Sequence, residues 1–265
     1  MHEFLFWLFL AGLIIASYTD IKRREVDNWL TLLLIFASWG FVFLLFKKDI
    51  IVFAMLSFII LFFIMNLLYY GRIFGGGDAQ LLFAMFAVFI GVSAWETLWN
   101  VGFFVILALI TGSLWGIFYS GVLFIKNFKK SKAEFKKQWS KGFNYMILAG
   151  ICFFVLSYAE ILFLAPAIIF FIFPILIVFA KAVDKCCMIK EVKGRELREG
   201  DWLLHDETTR GGVVRVDWEG LQEKDLKLLR KKKKVIIKDG VPFVPGFLIA
   251  FFIYYFLRDA VFGLI

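Results

Sequence analysis

The apolar residues of this chain fall in long uninterrupted blocks, and its charges are confined to the stretches between them. Crossing the roughly 30 Å hydrocarbon core of a bilayer takes about 20 predominantly apolar residues. On that scale eight blocks stand out, at residues 4–19, 29–46, 51–70, 79–95, 98–125, 143–158, 161–183 and 243–257. In lipid every backbone polar group must be satisfied within its own segment, so blocks of this length read as helices. The composition agrees, since 62% hydrophobic residues and a mean hydropathy of +0.82 exceed the roughly 45–50% apolar content of soluble domains. The expected fold is an all-α polytopic membrane protein of about eight transmembrane helices. Disorder, a collagen-like fibre and a secreted disulfide scaffold are excluded. The first block has a second reading as a signal segment. No Lys or Arg precedes it and no small-residue cleavage site closes it, so a mature helix is expected there.

The basic residues then orient the chain. If the charged turn 20–28 is cytoplasmic, 27 of the 30 Lys and Arg fall on that side, leaving only Lys47, Lys48 and Arg258 opposite. Cytoplasmic loops carry the excess of positive charge, so the N-terminus is expected outside a cytoplasmic membrane. Residues 184–240 have a different character, with twelve Asp and Glu, the alternating Gly212-Val213-Val214-Arg215-Val216 and the strand-like Val235-Ile236-Ile237. They are expected to form a small mixed α/β cytosolic domain, with a helix near 222–230, inserted before the last helix. The domain plan is thus 1–183 transmembrane, 184–240 cytosolic, and 241–265 the last transmembrane helix with its tail.

Other features are read more briefly. Cys152, Cys186 and Cys187 have no metal-ligand spacing, and His2 and His205 form no zinc-hydrolase pattern, so neither metal nor cofactor is expected. The lysine-rich stretch 126–141 either contacts anionic lipid headgroups or serves topology alone. Lys231 to Lys234 lack interleaved aromatics, and no nucleic-acid partner is expected. Asn66 is expected to bond a neighbouring helix, and Pro166 and Pro174 to kink the seventh span.

Two short stretches are unlike ordinary loops. One is Asp20-Ile21-Lys22-Arg23-Arg24-Glu25-Val26-Asp27-Asn28, at the end of the first block; the other is Gly75-Gly76-Gly77-Asp78-Ala79-Gln80, at the start of the fourth. Alone, Asp20 reads as a solvated helix flank and Asp78 as an N-cap. The topology, derived without either, puts both carboxylates on one face of the bilayer. Two such groups can share one proton, the ionised one activating water while the protonated one polarises a peptide carbonyl. A glycine run lets the backbone approach a second segment closely.

Asp20 followed by a basic stretch and Val26-Asp27-Asn28, then Gly75-x-Gly77-Asp78, resembles the type IV prepilin peptidase family, and most of all its archaeal preflagellin and prepilin peptidase branch. Gly240-Val241-Pro242-Phe243-Val244-Pro245 is similar to that branch's lead-in to its last helix, and Leu197-x-Glu199-Gly200-Asp201 to the opening of its cytosolic domain. The resemblance implies a GxGD aspartic endopeptidase that removes leader peptides from pilin-like or archaellin precursors at the cytoplasmic membrane face. Asp20 and Asp78 match the catalytic pair, and Gly75, Gly76 and Gly77 form the motif glycines. Glu25 and Asp27 are candidate contacts for a basic leader. Gln80 stands where the family commonly has Lys. The cysteine tetrad of many bacterial relatives is missing, so cleavage without N-methylation is expected. The alternative is a small multi-pass transporter or channel using Asp20 and Asp78 for a cation or protons.

Overall fold

The computed structural model describes residues 2–45, 48–209 and 211–262. In chain order the helices are α1 (His2–Arg23), α2 (Asn28–Leu45), α3 (Lys48–Tyr70), α4 (Gly76–Ala84), α5 (Ala94–Lys126), α6 (Phe128–Gln138), α7 (Lys141–Leu156) and α8 (Leu164–Cys187). Short 3-10 turns occupy Met85–Phe89 and Ile161–Phe163. Then come β1 (Ile189–Val192), β2 (Trp202–Leu203), β3 (Glu207–Thr209), β4 (Gly212–Val214), α9 (Glu223–Leu229), β5 (Val235–Lys238) and α10 (Val244–Phe262). The chain forms two compact units, one of residues 1–118 and 241–265, the other of residues 119–240.

Four stretches are long and apolar enough to cross a membrane: Glu3–Arg23, Ile51–Tyr70, Ala94–Lys126 and Ile161–Cys187. A fifth is reached if α6 and α7, bent by 82° at their junction, count as one span. Not all of the expected eight reach that length. Blocks 29–46, 79–95 and 243–257 correspond to shorter apolar helices, Asn28–Leu44, Gly76–Phe89 and Val244–Leu257. Large side chains such as Trp7, Phe36, Leu44, Phe63 and Leu67 stand exposed on α1 to α3. An apolar surface on that scale belongs in lipid rather than water.

The first unit is built around its shortest pieces. Leu81, Leu82, Met85, Phe86 and Phe89 are all fully buried, so α4 and the 3-10 turn after it form the centre against which α2 and α3 pack. Changing from α to 3-10 winding and then ending leaves main-chain carbonyls without helical partners. Three polar side chains supply them: Ser38 from α2 donates to the Ala84 carbonyl at 3.4 Å, Ser57 from α3 to Phe86 at 2.8 Å, and Asn100 from α5 to Phe89 at 3.2 Å. The fourth block is thus a broken, buried segment. The helix α5 starts afresh after it, with the Glu96 N–H donating to the N-cap Ser93 Oγ and Glu96 Oε2 accepting the N–H of Val92 just before it. Asn66 donates to the Phe62 carbonyl of its own helix at 2.7 Å, not to a neighbour.

In the second unit α7 and α8 pack along each other and α6 packs on α8. The lysine-rich stretch between the apolar blocks is largely helical, because Lys, Glu and Gln are good helix formers. Pro174 lies inside α8, whereas Pro166 falls in its first turn, where a missing N–H costs nothing. A three-stranded antiparallel sheet runs in the order β1-β5-β2, with Ile189 opposite Lys238 and Trp202 also opposite Lys238. The strands β3 and β4 form a separate hairpin. Leu197, Leu203, Val214, Leu221, Leu229, Val235 and Ile237 make a small core. Gln222 and Asp225 form a capping box on α9. Burial raises the Asp201 carboxyl above its ordinary range, although the Arg198 N–H donates to it at 2.8 Å. The lysine run is neutralised locally: Lys232 pairs with Glu207, and Lys234 with Glu191 at 2.6 Å.

Candidate active site

Asp20 sits in the last turn of α1, where a carboxylate meets the unfavourable end of the helix dipole. It is only 6% exposed. Its compensation comes from the start of another helix: the Val244 N–H, the first of α10, donates to Asp20 Oδ2 at 2.9 Å. That N–H has no partner within its own helix, so the bond satisfies an orphan donor and a buried acceptor together. Arg24, one turn on, is near enough for its charge to act on Asp20.

Asp78 is the third residue of α4, partly exposed, and its carboxylate turns back toward the Gly75 N–H at the N-cap. The Gly75 carbonyl in turn accepts the Ala79 N–H at 3.0 Å. The charges of Asp20 and Asp78 act on each other across the gap between α1 and α4. The two expected aspartates thus lie in one unit, on different helices, within electrostatic reach of each other.

Packing fixes this approach. A Cβ on Gly77 would lie 3.0 Å from the Val26 Cβ, so the glycine run is pressed directly against the connector between α1 and α2. The ring of Phe74, just before that run, lies 4.8 Å from Phe243 and 5.3 Å from Phe247, centroid to centroid. Phe243 in turn lies against Gly112 of α5, where a Cβ would meet its ring at 2.0 Å. Gly246 also abuts Gly112, Thr111 Oγ1 donates to the Gly246 carbonyl at 2.8 Å, and Trp115 Nε1 donates to the Pro242 carbonyl at 2.9 Å. The start of α10 is thus clamped to α5 while it holds Asp20 on one side and the glycine turn on the other.

The remaining expected residues fall around this centre. Gly75 is exposed, Gly76 and Gly77 half-buried. Glu25 is half-buried in the connector; Asp27 pairs with Arg23 at 2.7 Å and its carbonyl accepts the Leu30 N–H at the start of α2. Gln80 is exposed. Among the described residues the only non-glycine positions with positive φ are Arg24 (61°) and Arg72 (58°). Each closes the helix next to an aspartate segment, and such conformations concentrate at functional sites. Among the described residues no three His, Cys, Asp or Glu side chains are grouped to hold a metal ion. What the sequence left unread is the contribution of Val244, Gly246, Thr111 and Gly112. The Gly-Val-Pro-Phe-Val-Pro stretch pointed to the first, but a backbone N–H has no side-chain signature.

Residues 7–121 match the family described as the type IV leader peptidase family. The match contains both aspartates and ends inside α5, so the Val244 donor lies beyond it. Comparison with curated proteins and with solved structures found no match.

Proposed function

From the premise that this chain belongs, through residues 7–121, to the type IV leader peptidase family, we propose that it is an aspartic endopeptidase of the GxGD kind with Asp20 and Asp78 as its catalytic pair. The observation that carries this is that the two carboxylates come within electrostatic reach from separate helices, one fixed by a backbone donor and one at a glycine-lined, partly open turn. In the reacting state the pair holds one proton between them, since two carboxylates brought onto one peptide bond resist double ionisation. The ionised member takes a proton from water as the oxygen attacks the scissile carbonyl, and the protonated member hydrogen-bonds that carbonyl as it becomes tetrahedral. The C–N bond then breaks, the leaving amine takes a proton from the pair, and the pair regains its starting state.

The substrate is the precursor of a pilin-like or archaellin subunit, whose apolar helix lies in lipid while its short basic leader stays at the membrane face. That face is read as cytoplasmic because, over eight alternating crossings, 27 of 30 basic residues fall on it. The exposed glycine turn gives an extended peptide close access to Asp78. Glu25 and Asp27 attract the leader's basic residues, which compete with Arg23 for Asp27. The product amine is left without N-methylation.

The test is leader removal from a pilin-type precursor by the purified chain in detergent. Asp20→Asn and Asp78→Asn are each expected to abolish the shortened product while the protein stays folded; near-normal processing by either variant sinks the dyad.

A further inference from the structure

We propose that α6 is an interfacial helix that binds anionic lipid headgroups through a lysine face formed by Lys129, Lys132 and Lys136. At 100° per residue these three share one side of the helix, opposite Ser131, Glu134 and Gln138. The packing side is occupied: Ser131 Oγ lies 3.2 Å from Cys186 Sγ at the end of α8, and Glu134 accepts from Gln138 at 2.6 Å. The lysine side is open, all three residues being exposed, and among the described residues none has a carboxylate partner. Lys126 and Lys141 extend the same charge at either end and are exposed as well.

Water alone would satisfy such a face; the aromatics beside it would not be satisfied so. Phe128, Phe135 and Trp139 form a strip along the edge of the lysine face, and Phe128 is 53% exposed. Lys132 Nζ lies 5.7 Å from the Phe128 ring centroid. Phe135 stacks on Trp139 at 5.9 Å, and Trp139 contacts Phe143 of α7 at the same distance, so the strip runs into an apolar helix. A helix with rings on one edge and lysines on the other suits the boundary between acyl chains and headgroups.

Its placement within the second unit agrees. The axis of α6 turns 82° from α7, which packs along α8, a helix long and apolar enough to cross, so with that pair upright in lipid α6 lies close to the membrane plane. It packs at the end of α8 that leads, two residues on, into the polar sheet beginning at Ile189. A basic leader would be repelled by this face, which leaves an anionic partner fixed in the membrane.

The full chain is reconstituted in nanodiscs of equal phosphatidylglycerol and phosphatidylcholine, extracted in mild detergent, and the co-purifying lipid quantified. The unmodified chain is expected to retain phosphatidylglycerol in excess by about fivefold or more, roughly what a single lysine is worth at an anionic surface. The triple variant Lys129→Gln, Lys132→Gln, Lys136→Gln is expected to fall toward parity. A control removing three exposed lysines of the sheet region, Lys224→Gln, Lys231→Gln, Lys233→Gln, is expected to keep the excess. The proposal is overturned if the unmodified chain shows no excess, if the α6 variant keeps it, or if the control loses as much. It is equally overturned if inorganic phosphate or a short oligonucleotide strips the bound lipid, since the face would then take free anions.

Discussion

The Val244 N–H shows how much of the site depends on a group that carries no side-chain chemistry. It joins residues 224 positions apart and reaches a buried aspartate. Because Val244 opens α10, proline is compatible with that position and removes only the donor. A hydrogen bond to a charged group contributes about 1.5–3 kcal/mol, so Val244→Pro is expected to lower kcat by about 10- to 100-fold. Steady-state processing of a pilin-type precursor checks this, with KM little changed and Val244→Ala, which keeps the N–H, near normal. A similar loss in the alanine variant would show that packing of the side chain, not the donor, matters. Asp20 and Asp78 were legible in the sequence because each is an acid at the edge of an apolar block, on one side of the bilayer by an independent count of charges. Val244 was legible only as part of a Gly-Val-Pro-Phe-Val-Pro resemblance, without its role.

At the scale of elements, the site is held by helices that approach closely through glycine. Gly246 of α10 and Gly112 of α5 leave no room for a side chain, since a Cβ on Gly246 would fall 2.5 Å from the Gly112 Cα. Gly246→Ala must therefore push α10 from α5, breaking the Thr111 bond and moving Val244 relative to Asp20. Overpacking of this kind costs about 1–3 kcal/mol. A lowered thermal midpoint in detergent is expected, together with loss of processing, while Gly102→Ala on the open face of α5 changes neither. Equal stability and activity in Gly246→Ala would exclude the clamp. The break after α4 illustrates what hydropathy does not reveal. An apolar run over 79–95 looks the same whether it crosses lipid as one helix or winds tightly and stops inside a bundle. The distinguishing groups are Ser38, Ser57 and Asn100, which reside in three other helices and mean nothing until the fold brings them to the carbonyls of Ala84, Phe86 and Phe89.

For the molecule as a whole, apolar composition foretold a helical membrane protein, but not the number of crossings. The apolar parts of α2, of α4 with its 3-10 turn, and of α10, Asn28–Leu44, Gly76–Phe89 and Val244–Leu257, run at most about 26 Å at 1.5 Å per residue, at or below the short end of what crosses a roughly 30 Å core. They are apolar because they pack into the first unit as well as face lipid, and composition alone does not separate these causes. Charge is less ambiguous, because a lysine or arginine left in hydrocarbon costs about 2.5–3.5 kcal/mol on insertion scales. Taken over eight alternating crossings, 27 of 30 basic residues fall on one side, and that reading predicts where each loop lies. His205 is exposed in the sheet region, and Val92 is exposed between the 3-10 turn and α5. In a chain whose three native cysteines are replaced by alanine, His205→Cys is expected to react with a membrane-impermeant maleimide only when the cytoplasmic face is accessible, as in inverted vesicles. Val92→Cys is expected to react only in intact cells or right-side-out vesicles. Labelling of both from one side would make the charge count a poor guide to this chain. It would also remove the argument that Asp20 and Asp78 meet the leader in the cytoplasm, while leaving their convergence within the first unit untouched.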